Sequence, residues 1–516
     1  MNVSRHRLVL VPLVAAALAL PVSGGRVRAQ APGAVQLGTI NFPTSASPAA
    51  QAPFLTGTKA LYNFEFDLAA EAFQQAEKAD PNFALAYWGE AMSFNHPLWA
   101  EQDLAKARHA LEKLAPTAAA RAAKAPSGKE RDLVAAADVL FGTGDKLERD
   151  IAYSGAMGRM HAKYPDDDEI ATFYALALLG TGRAGEKNTR TAMQAAAIAQ
   201  GVFQRHPQHP GAAHYIIHAF DDPDHAILSL PAARAYSKIA PSAAHALHMP
   251  SHIFVQLGMW DDVIASNIVA YKAADDLAIA KALPRGREDF HTLSWLQYAY
   301  LQEGKFDDAE RAVTTARAVA EKDQSPRVRD GYASMKARQV METGKWEKLA
   351  LSSAPVKDGG APGYDGSAAY LLAAGVSAAK LGDLATANLA LDKLKTMRTQ
   401  AESGSNAYRA KPFAIMEKEV GAAVASAQKD AATAERLLKE ATVIELTLDA
   451  PSGPAEPIQP SFEMYGYLLL DLQRPAEAAA RFQSALQRMP NRRASVRGLE
   501  RATGPRATTA GQPAGK

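Results

Sequence analysis

The chain has no cysteine at all. That excludes disulfides, thiolate metal sites and cysteine nucleophiles, and it removes the residue a bacterial lipoprotein anchor needs. Aromatic residues are sparse, at 7%. A charge excess is missing too. Residues 1–29 carry four arginines and no acid, so the rest of the chain has 53 basic residues against 55 acidic ones. Such a balance leaves no electrostatic footprint for nucleic acid. The one long apolar run, Leu8 to Val22, is short for a membrane span and is interrupted by Pro12 and Pro21. No basic amphipathic segment points to a membrane surface. A glycine-rich phosphate loop, a dinucleotide fingerprint, HExxH and GxSxG are all absent.

What is present begins with a secretory signal. Arg5, His6 and Arg7 precede the apolar run, and Val27-Arg28-Ala29 offers a cleavage site near Ala29. The expectation is an exported protein, periplasmic or extracellular, with an extended segment over 30–49. Alanine dominates the remainder, and similar units recur at a spacing in the thirties. FDLAAEAFQQAEKADPN (66–82), GMWDDVIASNIVAYKA (258–273), GKFDDAERAVTTARAVAE (304–321) and RPAEAAARFQSALQRMPN (474–491) share a pattern. Small residues such as Ala69, Ala309 and Ala478 let helices approach closely, Phe73 and Phe482 fill the gaps, and Pro81 and Pro490 end the unit. These units resemble tetratricopeptide repeats. The spacing predicts an all-α solenoid, a right-handed superhelix of about ten helix pairs, over 50–503, with a disordered tail at 504–516. Breaks between pairs are expected at 117–127, 358–366 and 449–460.

Histidine is the anomaly. Eight of the thirteen histidines fall between His206 and His252. In HPGAAHYIIHAFDD (209–222), Pro210 suits a first helical turn, and His214 and His218 stand four apart on one face. Asp221 and Asp222 follow one turn later as further ligands or as partners for a ring. HALHMPSHIF (245–254) repeats the theme. His245, His248 and His252 lie 13, 10 and 6 residues before the turn at Gly258. His214 and His218 lie 10 and 6 before Asp224, and His291 lies 13 before Gly304. First helices with this register line the concave groove of a tetratricopeptide array and pack about 10 Å apart. Three successive repeats therefore aim His214, His218, His245, His248, His252 and His291 at one hollow, where imidazoles can hold zinc or copper. Pro250 requires a kinked or newly started helix. Glu90 and His96, from YWGEAMSFNHPLWAEQD (87–103), are further candidates if the first repeats curve toward the middle ones. His206 and His209 read as loop residues at helix ends, His109 and His161 as surface or packing residues, and the tryptophans as repeat core. A metal-free polar network of histidines is the alternative.

The stretches NHPLWAEQD, HPGAAHYIIHAFDDPDHA, HALHMPSHIFVQLGMWDD, HTLSWLQYAYLQEGKFDDA and GPAEPIQPSFEMYGYLLLDLQRPAEAAARFQSAL span most of the chain. In them it resembles a His-rich family of exported bacterial tetratricopeptide-repeat proteins. That resemblance implies the repeat fold and carries no reaction with it. Three functions follow from the residues. One is a scaffold with a transition metal, zinc or copper, in its groove, binding a peptide, protein or small molecule there. Another is a metal-dependent oxidase or hydrolase at the same histidines, whose paired HxxxH spacing is similar to that of tyrosinase-like dicopper sites. The third is a metal-free interaction module.

Overall fold

The computed structural model describes residues 35–182, 188–352, 364–404 and 407–504. The signal segment 1–29 lies outside these residues, as do nearly all of the tail at 504–516 and most of the break at 358–366. The chain divides after Val35, and everything below concerns the unit that begins at Gln36.

That unit is an all-α solenoid, with ten helix pairs among the described residues. The first are α1–α2 (Pro48–Tyr62, Phe66–Ala79) and α3–α4 (Ala84–Met92, Leu104–Leu114). After the short α5 (Ala118–Lys124) come α6–α7 (Gly128–Leu140, Lys146–Lys163), α8–α9 (Asp168–Leu179, Thr189–Arg205) and α10–α11 (Pro210–Ala219, Ala226–Ile239). The sixth pair has a first helix in two pieces, α12 (Ala244–His248) and α13 (Pro250–Gln256), packed on α14 (Trp260–Ala280). Then follow α15–α16 (Glu288–Gln302, Phe306–Ala320) and the single α17 (Pro326–Thr343). The array ends with α18–α19 (Ala368–Lys380, Leu384–Ser403), α20–α21 (Ala410–Ala427, Ala431–Glu445), α22–α23 (Ser461–Asp471, Pro475–Arg488) and α24 (Arg493–Thr503). Among the described residues, the strands are a two-residue hairpin, Asn95–His96 against Glu101–Gln102. No helix among them is long and apolar enough to cross a membrane.

The repeat pattern works through size. Phe73, on the second helix of its pair, is fully buried between Gly57 of α1 and Gly89 of α3. A Cβ at Gly89 would lie 2.3 Å from that ring. Phe482 sits in the same way between Gly466 of α22 and Gly498 of α24. An aromatic on one helix thus replaces the side chains that its neighbours give up, which keeps the interior close-packed. The expected break at 117–127 departs from this reading. Residues 118–124 form α5, because Thr117 accepts the Ala120 N–H as a cap and AAARAAK has high helix propensity. The 449–460 segment is irregular.

Two features bind distant repeats. Residues 36–47 cross the array without forming helix or strand before α1 begins. The Gln36 carbonyl accepts from Ser242 N–H at 3.2 Å, and Thr39 N–H donates to the Gln208 carbonyl at 2.9 Å. Asn41 N–H reaches Glu169, Ser45 reaches Glu130, and Ser47 reaches Asp80. Leu37 and Phe42 are the buried anchors of this strap. At the other end, the turn before α24 folds back onto the middle of the array. The Asn491 carbonyl accepts from Trp260 Nε1 at 3.1 Å, and Arg492, 1% exposed, pairs with Glu342 at 2.6 Å and Glu463 at 2.8 Å.

Candidate metal centre

Six of the candidate histidines stand on three consecutive first helices: His214 and His218 on α10, His245, His248 and His252 on α12–α13, and His291 on α15. His209 caps α10, its Nδ1 accepting the Ala212 N–H, and Pro210 occupies the first turn. Met249, between α12 and α13, keeps helical dihedrals (φ −52°, ψ −35°). Pro250 lacks the N–H that would continue the ladder, so the helix divides there into α12 and α13 while Met249 keeps the register. His248 and His252 therefore still share a face.

The structure sorts the six imidazoles into two triads. His214, His218 and His245 form one, and His248, His252 and His291 the other. Within each triad, one ring nitrogen from every histidine lies within 4.8 Å of the other two. In the first, His214 Nε2 faces His218 Nε2 at 3.0 Å. His245 Nε2 is buried with no partner. In the second, His248 Nε2 lies 3.2 Å from His252 Nε2 and 2.9 Å from His291 Nε2. The triads adjoin, with the rings of His218 and His252 centred 6.1 Å apart.

Tautomers follow from what holds the outer nitrogens. His214 Nδ1 donates to the Tyr62 carbonyl at 2.7 Å. Asn267 Nδ2 is committed to the Val263 carbonyl, so its Oδ1 accepts from His248 Nδ1 at 2.7 Å. His252 Nδ1 donates to the Asp221 carboxylate, also at 2.7 Å. His248 and His252 thus each have Nδ1 engaged by an oxygen, which turns both Nε2 atoms inward, 3.2 Å apart. A cation between them would be shared by both rings.

Burial makes a proton a poor cation for this place. It pushes His214, His218 and His248 well below the ordinary 6.5, and neighbouring imidazoles add to the effect. His291 is an exposed residue, but its Nε2 faces His248 at 2.9 Å, and the shielding of its ring from water brings it down to about 4. Burial opposes the charge on Glu288, but the His245 Nδ1 beside it at 3.6 Å and the surrounding imidazoles outweigh that and hold the carboxyl low. Glu65 accepts from the His245 backbone N–H, and burial pushes its carboxyl up. Outer nitrogens held by carbonyl, amide and carboxylate oxygens orient these rings as metal ligation requires.

Aromatic rings wall the triads. Phe64 lies 4.4 Å from His214, 5.8 Å from His218 and 5.5 Å from His245. Its backbone is left-handed at φ 57°, a conformation that costs a non-glycine residue roughly 1–2 kcal/mol. Trp295, 4% exposed, lies 4.9 Å from His248, 4.4 Å from His252 and 5.5 Å from His291. The 449–460 segment backs it, since a Cβ on Gly453 would lie 2.4 Å from the indole. Gln256 ties that segment to the site by donating to the Pro451 carbonyl at 2.8 Å and to Asp221 at 3.1 Å.

The remaining candidates fall outside the triads. Asp221 is there as the partner of His252. Asp222 instead holds His225 at 2.8 Å, because the chain turns away after α10. Glu90 lies between the second helices of two pairs, where it meets Gln74 of α2 and Lys113 of α4. His96 stacks on Phe66 at 3.9 Å, one ring removed from Phe64. His209 is more than a loop residue, being 2% exposed and 3.3 Å from Glu169. His206 is exposed beside Asp168. Among the tryptophans, Trp99 departs from the core expectation at 49% exposed. The sequence reading missed Tyr62, Phe64, Asn267, Glu288 and Trp295; of these, Glu288, three residues before His291, and Trp295, four after it, share a helix face with a candidate.

No family model matches the chain, and no curated protein matches it in sequence. Similar solved structures include the APC/C hetero-tetramer Cut9–Hcn1, with 16% identity, 90% of this chain and 78% of that chain covered, and a TM-score of 0.36. Yeast Tom70 is 10% identical over 90% of each chain, with a TM-score of 0.34. The P58(IPK) TPR domain is 15% identical over 90% of this chain and 99% of its own, with a TM-score of 0.21.

Proposed function

We propose that the protein is an exported helical-repeat scaffold that binds two transition-metal ions, zinc or copper, one in each histidine triad. The observation that carries this reading is the meeting of His248 Nε2 and His252 Nε2 at 3.2 Å with both Nδ1 hydrogens already donated to oxygen. Inward-facing ring nitrogens at that separation are placed where one metal ion could be shared by both. Imidazole nitrogen suits zinc and copper, and both metals are met outside the cytoplasm. Three protein ligands per ion leave a coordination position open, as catalytic sites do and closed structural sites do not. That favours a metal-dependent enzyme, oxidase or hydrolase, over a purely structural ion, with the substrate or a peptide, protein or small-molecule partner entering the groove.

The test is elemental analysis of tag-free protein lacking residues 1–29, after zinc and after copper supplementation. About two ions per chain are expected, and a His214→Ala/His252→Ala variant should retain well under half of them. Wild-type protein that holds only trace metal after both treatments would overturn the reading.

A further inference from the structure

We propose that the protein has a second binding site, for a small molecule bearing a phosphate group, in the cavity between α24 and the turns of the sixth and seventh pairs. No histidine takes part, and the proposal stands apart from the metal-binding reading. The cavity holds about 400 Å3, within the range of sites that take small ligands.

Two turns fix its walls. Gly258 and Gly304, at φ 64° and 73°, follow the first helices of their pairs and leave open the space a side chain would fill. A Cβ at Gly258 would lie 2.5 Å from Asn491, whose carbonyl already accepts from Trp260 Nε1. A Cβ at Gly304 would lie 3.0 Å from the Arg493 guanidinium. That guanidinium also lies over the Phe306 ring, 4.9 Å from its centre. Arg493 is therefore held by packing rather than by a carboxylate.

What this corner lacks is a counter-ion. Arg497 lines the same cavity, four residues further along α24, and like charges at that spacing repel. Burial and Arg497 both work against the charge on Arg493. Glu342, whose field reaches Arg493, is paired with Arg492. Glu500 is the acid in the lining, and among the described residues neither it nor another carboxylate pairs with Arg493 or Arg497. A third donor adjoins the two arginines. Gln302, 4% exposed, gives its Oε1 to the Arg493 N–H at 2.9 Å. Its Nε2 is buried and completes no hydrogen bond, although Glu342 is close by.

Two unpaired guanidiniums and a spare amide donor in one cavity fit an anion, since arginine forks match the oxygens of phosphate and carboxylate. Charge favours phosphate. A phosphate monoester brings about −1.5 to −2 charge and three free oxygens, against the single charge and two oxygens of a carboxylate. The cavity leaves room for the molecule that bears the phosphate.

The experiment titrates full-length protein without residues 1–29 with glycerol phosphate in a calorimeter, beside inorganic phosphate and acetate. Saturable binding of about one glycerol phosphate per chain is expected, with acetate at least about tenfold weaker. Arg497→Gln, at an exposed position, should weaken glycerol phosphate about 10–100-fold while circular dichroism stays unchanged. Arg501→Gln, on the same helix but outside the cavity, should keep the affinity within about threefold, and so should His214→Ala/His252→Ala. No saturation by either phosphate up to about 10 mM would overturn the site, as would wild-type affinity in a folded Arg497→Gln variant. Loss of binding in the histidine variant would place the phosphate on a metal and overturn it too. Acetate binding as tightly as glycerol phosphate, or inorganic phosphate binding more tightly, would overturn the assignment to a phosphate monoester.

Discussion

Asp221→Asn isolates the contribution of a group that touches no metal. The carboxylate accepts two hydrogen bonds, from His252 Nδ1 at 2.7 Å and from Gln256 Nε2 at 3.1 Å. An asparagine of the same shape offers one acceptor and one NH2, so one of the two donors must face another donor. If His252 loses, its ring is free to flip or to change tautomer, and Nε2 no longer presents a fixed lone pair. Replacing such an outer partner typically weakens metal affinity 10–100-fold, which corresponds to about 1.4–2.7 kcal/mol. The change should fall on one ion of two. Competition against a chromophoric chelator resolves the two stepwise affinities, and circular dichroism checks that the helices persist. The expected outcome is one Kd raised by roughly 10–100-fold while the other, belonging to the His214 triad, stays within about threefold. If both affinities of a folded variant stay within about threefold of wild type, Asp221 does not orient a metal ligand and the tautomer argument fails.

Other outcomes follow from the same contacts. Arg492→Met removes the cation that pairs the buried Glu342 and Glu463, and should cost about 3–5 kcal/mol in denaturant unfolding. A loss under about 1 kcal/mol would count against that role. Gly89→Ala places a methyl group 2.3 Å from the Phe73 ring and should cost about 1–3 kcal/mol, read as a lowered Tm. For metal-free protein, His214, His218, His248 and His291 titrate below the ordinary 6.5 when folded, so below that pH the unfolded chain binds more protons. Stability should therefore be full above about pH 6.5 and fall as the pH drops toward 4, as measured by urea unfolding across that range. A flat profile would contradict the burial of neutral imidazoles.

The repeat fold was legible because its signals are local. Ala69, Phe73 and Pro81 declare a helix pair within one unit, and the same signs recur at Ala478, Phe482 and Pro490. The six histidines were legible for the same reason, since i, i+4 spacing and the offset from a turn are both properties of one repeat. Sequence spacing does not encode what lies behind the rings. Tyr62 stands 152 residues before the His214 it orients. Glu288 was hidden because it serves His245 of the preceding repeat rather than its neighbour His291. Glu90 and Asp222 misled because position on a helix does not say which neighbour claims a side chain. Glu90 goes to Lys113 on its own partner helix, and Asp222 to His225 past the end of α10.

The strap at 36–47 has a consequence for the order of folding. A repeat array held only by neighbouring contacts can assemble as it is synthesised, pair by pair, and can fray from its ends. Here a segment made before all the helices of the array finds part of its seat at Gln208 and Ser242, and Ser242 is 206 residues further on than Gln36. Contacts of that sequence separation form late and slow the final step. The strap is therefore fully seated only after the fifth pair has been made, and once it is down the repeats it crosses lose their freedom to open one at a time. Leu37→Ala, at a 1% exposed anchor of that strap, should cost about 2–5 kcal/mol and split a single cooperative unfolding transition into two.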